Sequence, residues 1–227
     1  DEAYKINVET SGNFLSGISH LLGSKRNEDN QYTLFNIAFA QYVKGDFDYT
    51  KIIMFDRNNS LALHAGLGIA YPYGNSKILP FEKRYFSGGA NSVRGWSVRG
   101  LGPGKFKGTN GAIDFINQTG DIKLDLNIEL RSFLFWKVYG AAFIDAGNIW
   151  TIRAYEEQPG GQFRFKDFYK QIAVAYGLGI RFNFDFFILR FDMGMKAINP
   201  AYNEHYAIFH PDFSRDFAFH FAVGLPF

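Results

Sequence analysis

The feature that most constrains this chain is a two-residue rhythm of apolar and polar side chains. Near the C-terminus, Phe217, Phe219, Phe221, Val223, Leu225 and Phe227 alternate with Ala218, His220, Ala222, Gly224 and Pro226. Residues 121–131 place Ile122, Leu124, Leu126, Ile128 and Leu130 against Lys123, Asp125, Asn127, Glu129 and Arg131. The same rhythm runs through 61–71, 171–184 and 187–196. An extended strand sends successive side chains to opposite faces, so each segment predicts a strand with one greasy face and one polar or small face. Helical spacing fits these segments poorly.

Eight strands are expected, at about 3–12, 37–55, 59–74, 121–133, 137–150, 168–184, 186–197 and 216–227. Their connections alternate in length. Long ones cover 13–36, 75–120, 151–167 and 198–215; tight ones fall at Asp56–Asn59, Phe135-Trp136 and Asn183–Phe186. Alternating long loops and tight turns is the topology of an outer-membrane barrel. Composition agrees. Aromatics are 19% of the chain, with 26 Phe and 13 Tyr, yet mean hydropathy is only −0.16. Apolar residues are therefore diluted by interleaved polar ones. No apolar run reaches 18 residues, so no transmembrane helix is predicted. A soluble sandwich or lipocalin-like barrel would also alternate. Against it, the pairs Glu129/Arg131 and Arg190/Asp192 share their face with Gly and Ala, as residues lining a lumen would, and the greasy face continues to the last residue. The expected fold is all-β: a single domain, 1–227, forming a transmembrane antiparallel β-barrel. Tyr71, Tyr73, Trp136, Tyr139, Trp150, Phe184 and Phe186, near strand ends, are expected in aromatic girdles.

The long loop 75–120 contains Phe86-Ser87-Gly88-Gly89 and then Val93-Arg94-Gly95-Trp96. Two strands later comes Phe143-Ile144-Asp145-Ala146-Gly147. Together these resemble the BamA/TamA superfamily of outer-membrane assembly factors, with its lumen-inserted loop carrying Val-Arg-Gly-aromatic and its Phe-x-Asp-x-Gly strand. Trp96 stands where Phe or Tyr is commoner in that family. The resemblance covers Tyr4 to Phe227, equivalent to the last eight strands of a usual sixteen, and the periplasmic POTRA repeats of most members have no counterpart in it. It implies that Arg94 docks against Asp145, with Glu129 as second acidic partner, and that the aromatic last strand (Phe219, Phe221, Val223, Phe227) is the signal by which such barrels are recognised for insertion. On physical grounds, a guanidinium folded back into a lumen needs carboxylates of bidentate geometry, and Gly88, Gly89 and Gly95 are expected to permit turns.

The function the resemblance implies is assembly of other outer-membrane proteins, by templating client strands and perturbing the bilayer. Its partners would be the outer-membrane bilayer, with lipopolysaccharide and phospholipid, and client outer-membrane proteins. A small pore or structural barrel is the alternative from another class, and secretion of a partner polypeptide is a third. Eight strands closed alone leave an interior about filled by side chains, too small for the 75–120 loop; a free-standing chain would be expected to pair as a homodimer. No cofactor and no enzymatic activity are expected: there is no Gly-x-Ser-x-Gly elbow and no phosphate loop. The five histidines form no pair at metal spacing and cysteine is absent. A net charge of +2 predicts no nucleic-acid partner. Asp1-Glu2-Ala3 does not read as a signal peptide, so the chain is taken as a mature form or a trimmed piece.

Overall fold

The computed structural model of the protein describes residues 1–23, 26–34, 37–202 and 210–227. Parts of the connections 13–36 and 198–215, including His205, lie outside the described residues. The strands are β1 (Glu2–Ser11), β2 (Thr33–Leu34), β3 (Ile37–Ala38), β4 (Tyr42–Met54), β5 (Asn59–Pro72), β6 (Ile122–Phe135), β7 (Val138–Trp150), β8 (Ala173–Phe184), β9 (Phe187–Ile198) and β10 (Phe217–Val223). β2 and β3 form a small hairpin. The other eight form one antiparallel sheet in the order β1-β4-β5-β6-β7-β8-β9-β10.

Register turns the sequence alternation into two unlike surfaces. One row across six strands reads Leu63, Ile128, Ile144, Tyr176, Met195 and Phe217. On the opposite face the adjoining row reads Ala62, Glu129, Phe143, Gly177, Gly194 and Ala218. The apolar face is the exposed one: Ile128 is 48% and Leu178 61% accessible. The charged face is the covered one: Glu129, Asp145, Arg190 and Asp192 are fully buried. A water-soluble sandwich would bury the first and wet the second. A sheet whose continuous apolar face is open while its ionic face is closed suits contact with hydrocarbon.

Several expectations are corrected. The sheet is open, since among the described residues no ladder joins β1 to β10. The strand expected at 37–55 begins at Tyr42, preceded by the β2/β3 hairpin. The strand expected at 168–184 begins at Ala173, because Phe168–Gln171 form a 3-10 turn. The connection 13–36 contains helix α1 (Asn13–Leu21), whose Phe14 and Leu21 are exposed. A second short helix, α2 (Phe213–Asp216), leads into β10. The last strand ends at Val223 rather than 227. Gly224 takes a φ of 89°, and beyond it the Phe227 ring leaves the apolar face and stacks on His64 at 5.2 Å. Trp150 is buried, not part of an exposed girdle, whereas Trp136 and Phe186 at the tight turns are exposed.

The two faces make opposite demands on substitution. Ile128→Arg, at mid-strand on the apolar face, is expected to destabilise the folded protein in lipid by about 2–4 kcal/mol, read as a shifted urea midpoint of heat-modifiable mobility.

Candidate functional site

Val93-Arg94-Gly95-Trp96 is a four-residue turn closed by the Trp96 amide donating to the Val93 carbonyl (3.2 Å). The turn lies on the covered face of the sheet. Val93 and Trp96 are buried with Leu101, Ala173 and Ala175, so two apolar side chains of the loop anchor it on β8. Between them Arg94 points at β6 and β7. Its Nε donates to Asp145 Oδ2 (2.8 Å), its Nη2 to Asp145 Oδ1 (2.9 Å) and its backbone amide to Asp145 Oδ2 (3.0 Å). Nη1 donates to Glu129 Oε2 at 2.5 Å and lies 3.7 Å from Asp192 Oδ2. The guanidinium carbon sits 3.6 Å from the centroid of the Phe143 ring. The fork on Asp145 is the bidentate arrangement that arginine makes and lysine does not. Burial alone would lower the Arg94 pKa, but the hydrogen bond and charge of Asp145, with the charges of Glu129 and Asp192, outweigh it and hold it above its ordinary value.

The carboxylates are themselves held. Asn127 Nδ2 donates to Asp145 Oδ1 (2.9 Å) and to the Ser92 carbonyl (3.0 Å). Glu129 also accepts from Arg131 Nε (2.8 Å) and Arg181 Nη2 (3.0 Å). Arg181 Nη1 reaches Asp192 at 2.6 Å. Ser92 Oγ donates to Asp125 (2.8 Å), and Arg190 Nη2 to Asn91 Oδ1 (2.5 Å). The Arg94 carbonyl accepts from His220 Nε2 at 2.9 Å, which fixes that nitrogen as protonated and ties the turn to β10. The loop is thus held on five strands, β6 to β10, through one tip.

Space decides the glycines. Gly88 and Gly89 have φ of 94° and 93°, the left-handed region in which side chains are strained. Gly95 does not; its constraint is contact, since a Cβ there would sit 2.7 Å from that of Ala175. On β9, a Cβ at Gly194 would run into the Arg94 carbonyl itself. Gly147, of the strand motif, pairs with Asp125. Phe219, Phe221 and Val223 lie apart from this cluster, exposed on the apolar face. The motifs alone do not reveal Asn127, Arg181, Asp192 or His220. Their one sequence signal is position: all fall on the polar phase of their strands.

In the loop outside the sheet, Asp114 is held at about 2 by the Thr109 hydroxyl first, and by the backbone amide and side chain of Asn117. Among the described residues no group of His, Asp and Glu is arranged to hold a metal ion.

Comparison with known proteins adds the lineage of this arrangement. The Omp85 superfamily domain profile matches residues 10–227. The outer membrane protein assembly factor BamA of Neisseria meningitidis serogroup B is 28% identical over 126 residues, which is 52% of this chain and 15% of that protein. The crystal structure of BamA from Haemophilus ducreyi lacking POTRA domains 1-3 superposes with a TM-score of 0.57 at 15% identity, covering 98% of this chain and 51% of that one. CdiB from Acinetobacter baumannii superposes with a TM-score of 0.46 at 18% identity, over 82% of this chain and 27% of that one. The chain therefore spans about half the length of the structural relative, and the match to the curated one spans a smaller share still.

Two variants probe the cluster. Asp145→Ala leaves the Arg94 guanidinium buried beside fewer carboxylates and is expected to cost about 3–5 kcal/mol, measured by urea titration in lipid. Gly194→Ala is expected to lift the turn off β9, so that trypsin cleaves after Arg94, a bond protected in the parent protein.

Proposed function

The chain belongs to the Omp85 superfamily and is an outer-membrane protein, and from that premise we propose that it forms one half of a transmembrane β-barrel that assists insertion of other outer-membrane proteins. The single observation carrying this reading is the fully buried Arg94 gripped by Asp145 and Glu129. It fastens the 75–120 loop to the polar face of a sheet whose two edges, β1 and β10, each lack an outer neighbour among the described residues. In this proposal the polar face lines a lumen, the loop occupies it, and further strands complete a larger barrel of about sixteen. The seam at an edge strand supplies unpaired backbone N–H and C=O groups, which are the template for adding a client strand. The exposed apolar face perturbs the bilayer beside that seam. The role is non-catalytic and requires no cofactor; its partners are client outer-membrane proteins and the surrounding lipid.

A small closed pore is the less supported reading. Eight strands closed on themselves have an interior about filled by side chains, whereas here the sheet is open and one face is covered by a loop held on five of its strands.

The test is client insertion into liposomes by the native polypeptide and its Arg94→Ala variant, with folding checked by heat-modifiable mobility. Insertion is expected to slow about tenfold for each ~1.4 kcal/mol that the lost loop contact adds to its barrier. An unchanged rate from a folded variant overturns the proposal. A large, stable single-channel conductance in the parent protein would favour the pore instead.

A further inference from the structure

In the loop after β7, Phe163, Arg164, Phe165 and Phe168 fold down over the apolar face rather than away from the sheet. Trp150, at the end of β7, is buried beneath them, with its indole 5.7 Å from the Phe163 ring and 6.4 Å from Phe168. Phe163 in turn packs edge-on against Phe165 at 5.0 Å. Trp150 Nε1 donates to Gln171 Oε1 (2.8 Å), which locks the indole under the loop. Below this aromatic eave, Leu67 and Ile69 of β5 and Ile122 and Leu124 of β6 form an open apolar floor. Floor and eave enclose a groove of about 490 Å³ with Arg164 on its lining, a volume in the range of small-molecule sites.

The segment over the groove reads Phe163-Arg164-Phe165-Lys166-Asp167-Phe168-Tyr169-Lys170. It carries three cations and one carboxylate. Asp167 lies 3.9 Å from Lys170 Nζ, both well exposed; among the described residues no carboxylate is within ion-pair distance of Arg164 or Lys166. Phe165 is 84% accessible, an aromatic side chain at the rim that the described residues leave largely uncovered. Aromatic rings interleaved with basic residues, at the long-loop end of an apolar strand face, are the combination that sits at a membrane interface.

We propose that this groove is a binding site for an anionic membrane lipid, one acyl chain lying on the β5/β6 floor under Phe163 and Phe168, and the phosphate headgroup met by Arg164, Lys166 and Lys170. The occupant is a lipid rather than a peptide because the floor is continuous with the face that meets the bilayer, where a free acyl chain is always at hand. The headgroup is anionic because Arg164 lines the groove and the segment that carries it has three cations against one carboxylate. The site rests on the membrane placement of the apolar face and is independent of any activity in protein insertion, so either can fail without the other.

The test uses the full chain carrying Trp136→Phe, which removes the exposed indole at the opposite end of the sheet. It is reconstituted in phosphatidylcholine vesicles with rising fractions of phosphatidylglycerol brominated on its acyl chains, and tryptophan quenching is followed. Half-maximal quenching is expected at a mole fraction about tenfold lower than with brominated phosphatidylcholine, within what two or three interfacial cations supply. Replacing Arg164, Lys166 and Lys170 together by Gln, all at exposed loop positions, is expected to abolish that difference. Inorganic phosphate at constant ionic strength is expected to leave the curve unchanged. Equal quenching by the two lipids in the parent protein, a preference that survives the triple substitution, or displacement by inorganic phosphate overturns the proposal.

Discussion

A guanidinium removed from water must find its counter-charges and its acceptors in the same place, or the fold that buries it is lost. Arg94 meets that demand with a two-point grip on Asp145, a contact to Glu129 and the face of Phe143. Much else on that face follows from it. The carboxylates need their own partners, supplied by Asn127, Arg131 and Arg181. The turn that carries Arg94 has to approach the sheet closely, so the strand beneath it presents Gly194, where a Cβ would run into the Arg94 carbonyl.

The cluster also explains why the sheet is built the wrong way round for water. Over β6 to β9 its ionic face is sealed by the loop, and its apolar face is open. In a bilayer both conditions are favourable at once: the apolar rows meet hydrocarbon, and the charges are kept from it by a strand's thickness. The interstrand hydrogen bonds satisfy the backbone within the sheet, as a membrane requires. Only the outer sides of β1 and β10 are exceptions among the described residues, and those are the positions where the proposed function places another strand.

Loop and edge are physically joined. His220 donates to the Arg94 carbonyl from the strand at one edge of the sheet, so a displacement of the turn is felt by β10 directly. At the same long-loop end of the sheet a different loop folds outward, and its Phe163 and Phe168 pack over Trp150 on the apolar side instead of the polar side. The two loops serve opposite faces, and each packs through a buried tryptophan, Trp96 within one and Trp150 of β7 beneath the other.

The sequence by itself determined the strands and their faces. Alternation is a local property, read from each strand separately, and it separated Ile128 from Glu129 and Leu178 from Arg181 without any knowledge of partners. It did not determine where a strand stops when the pattern runs on: the rhythm through Phe227 continues, yet Gly224 breaks the strand and sends the last ring to His64. Nor did it reveal helix α1, whose nine residues carry no side-chain cap. The Arg94 tetrad was visible as a motif, but alternation assigned only a face to Asn127, Arg181, Asp192 and His220. Which of the many polar residues on that face surround one guanidinium depends on interstrand register and on the path of a long loop. Both are set by contacts between residues far apart in the chain, and only the tertiary structure decides them.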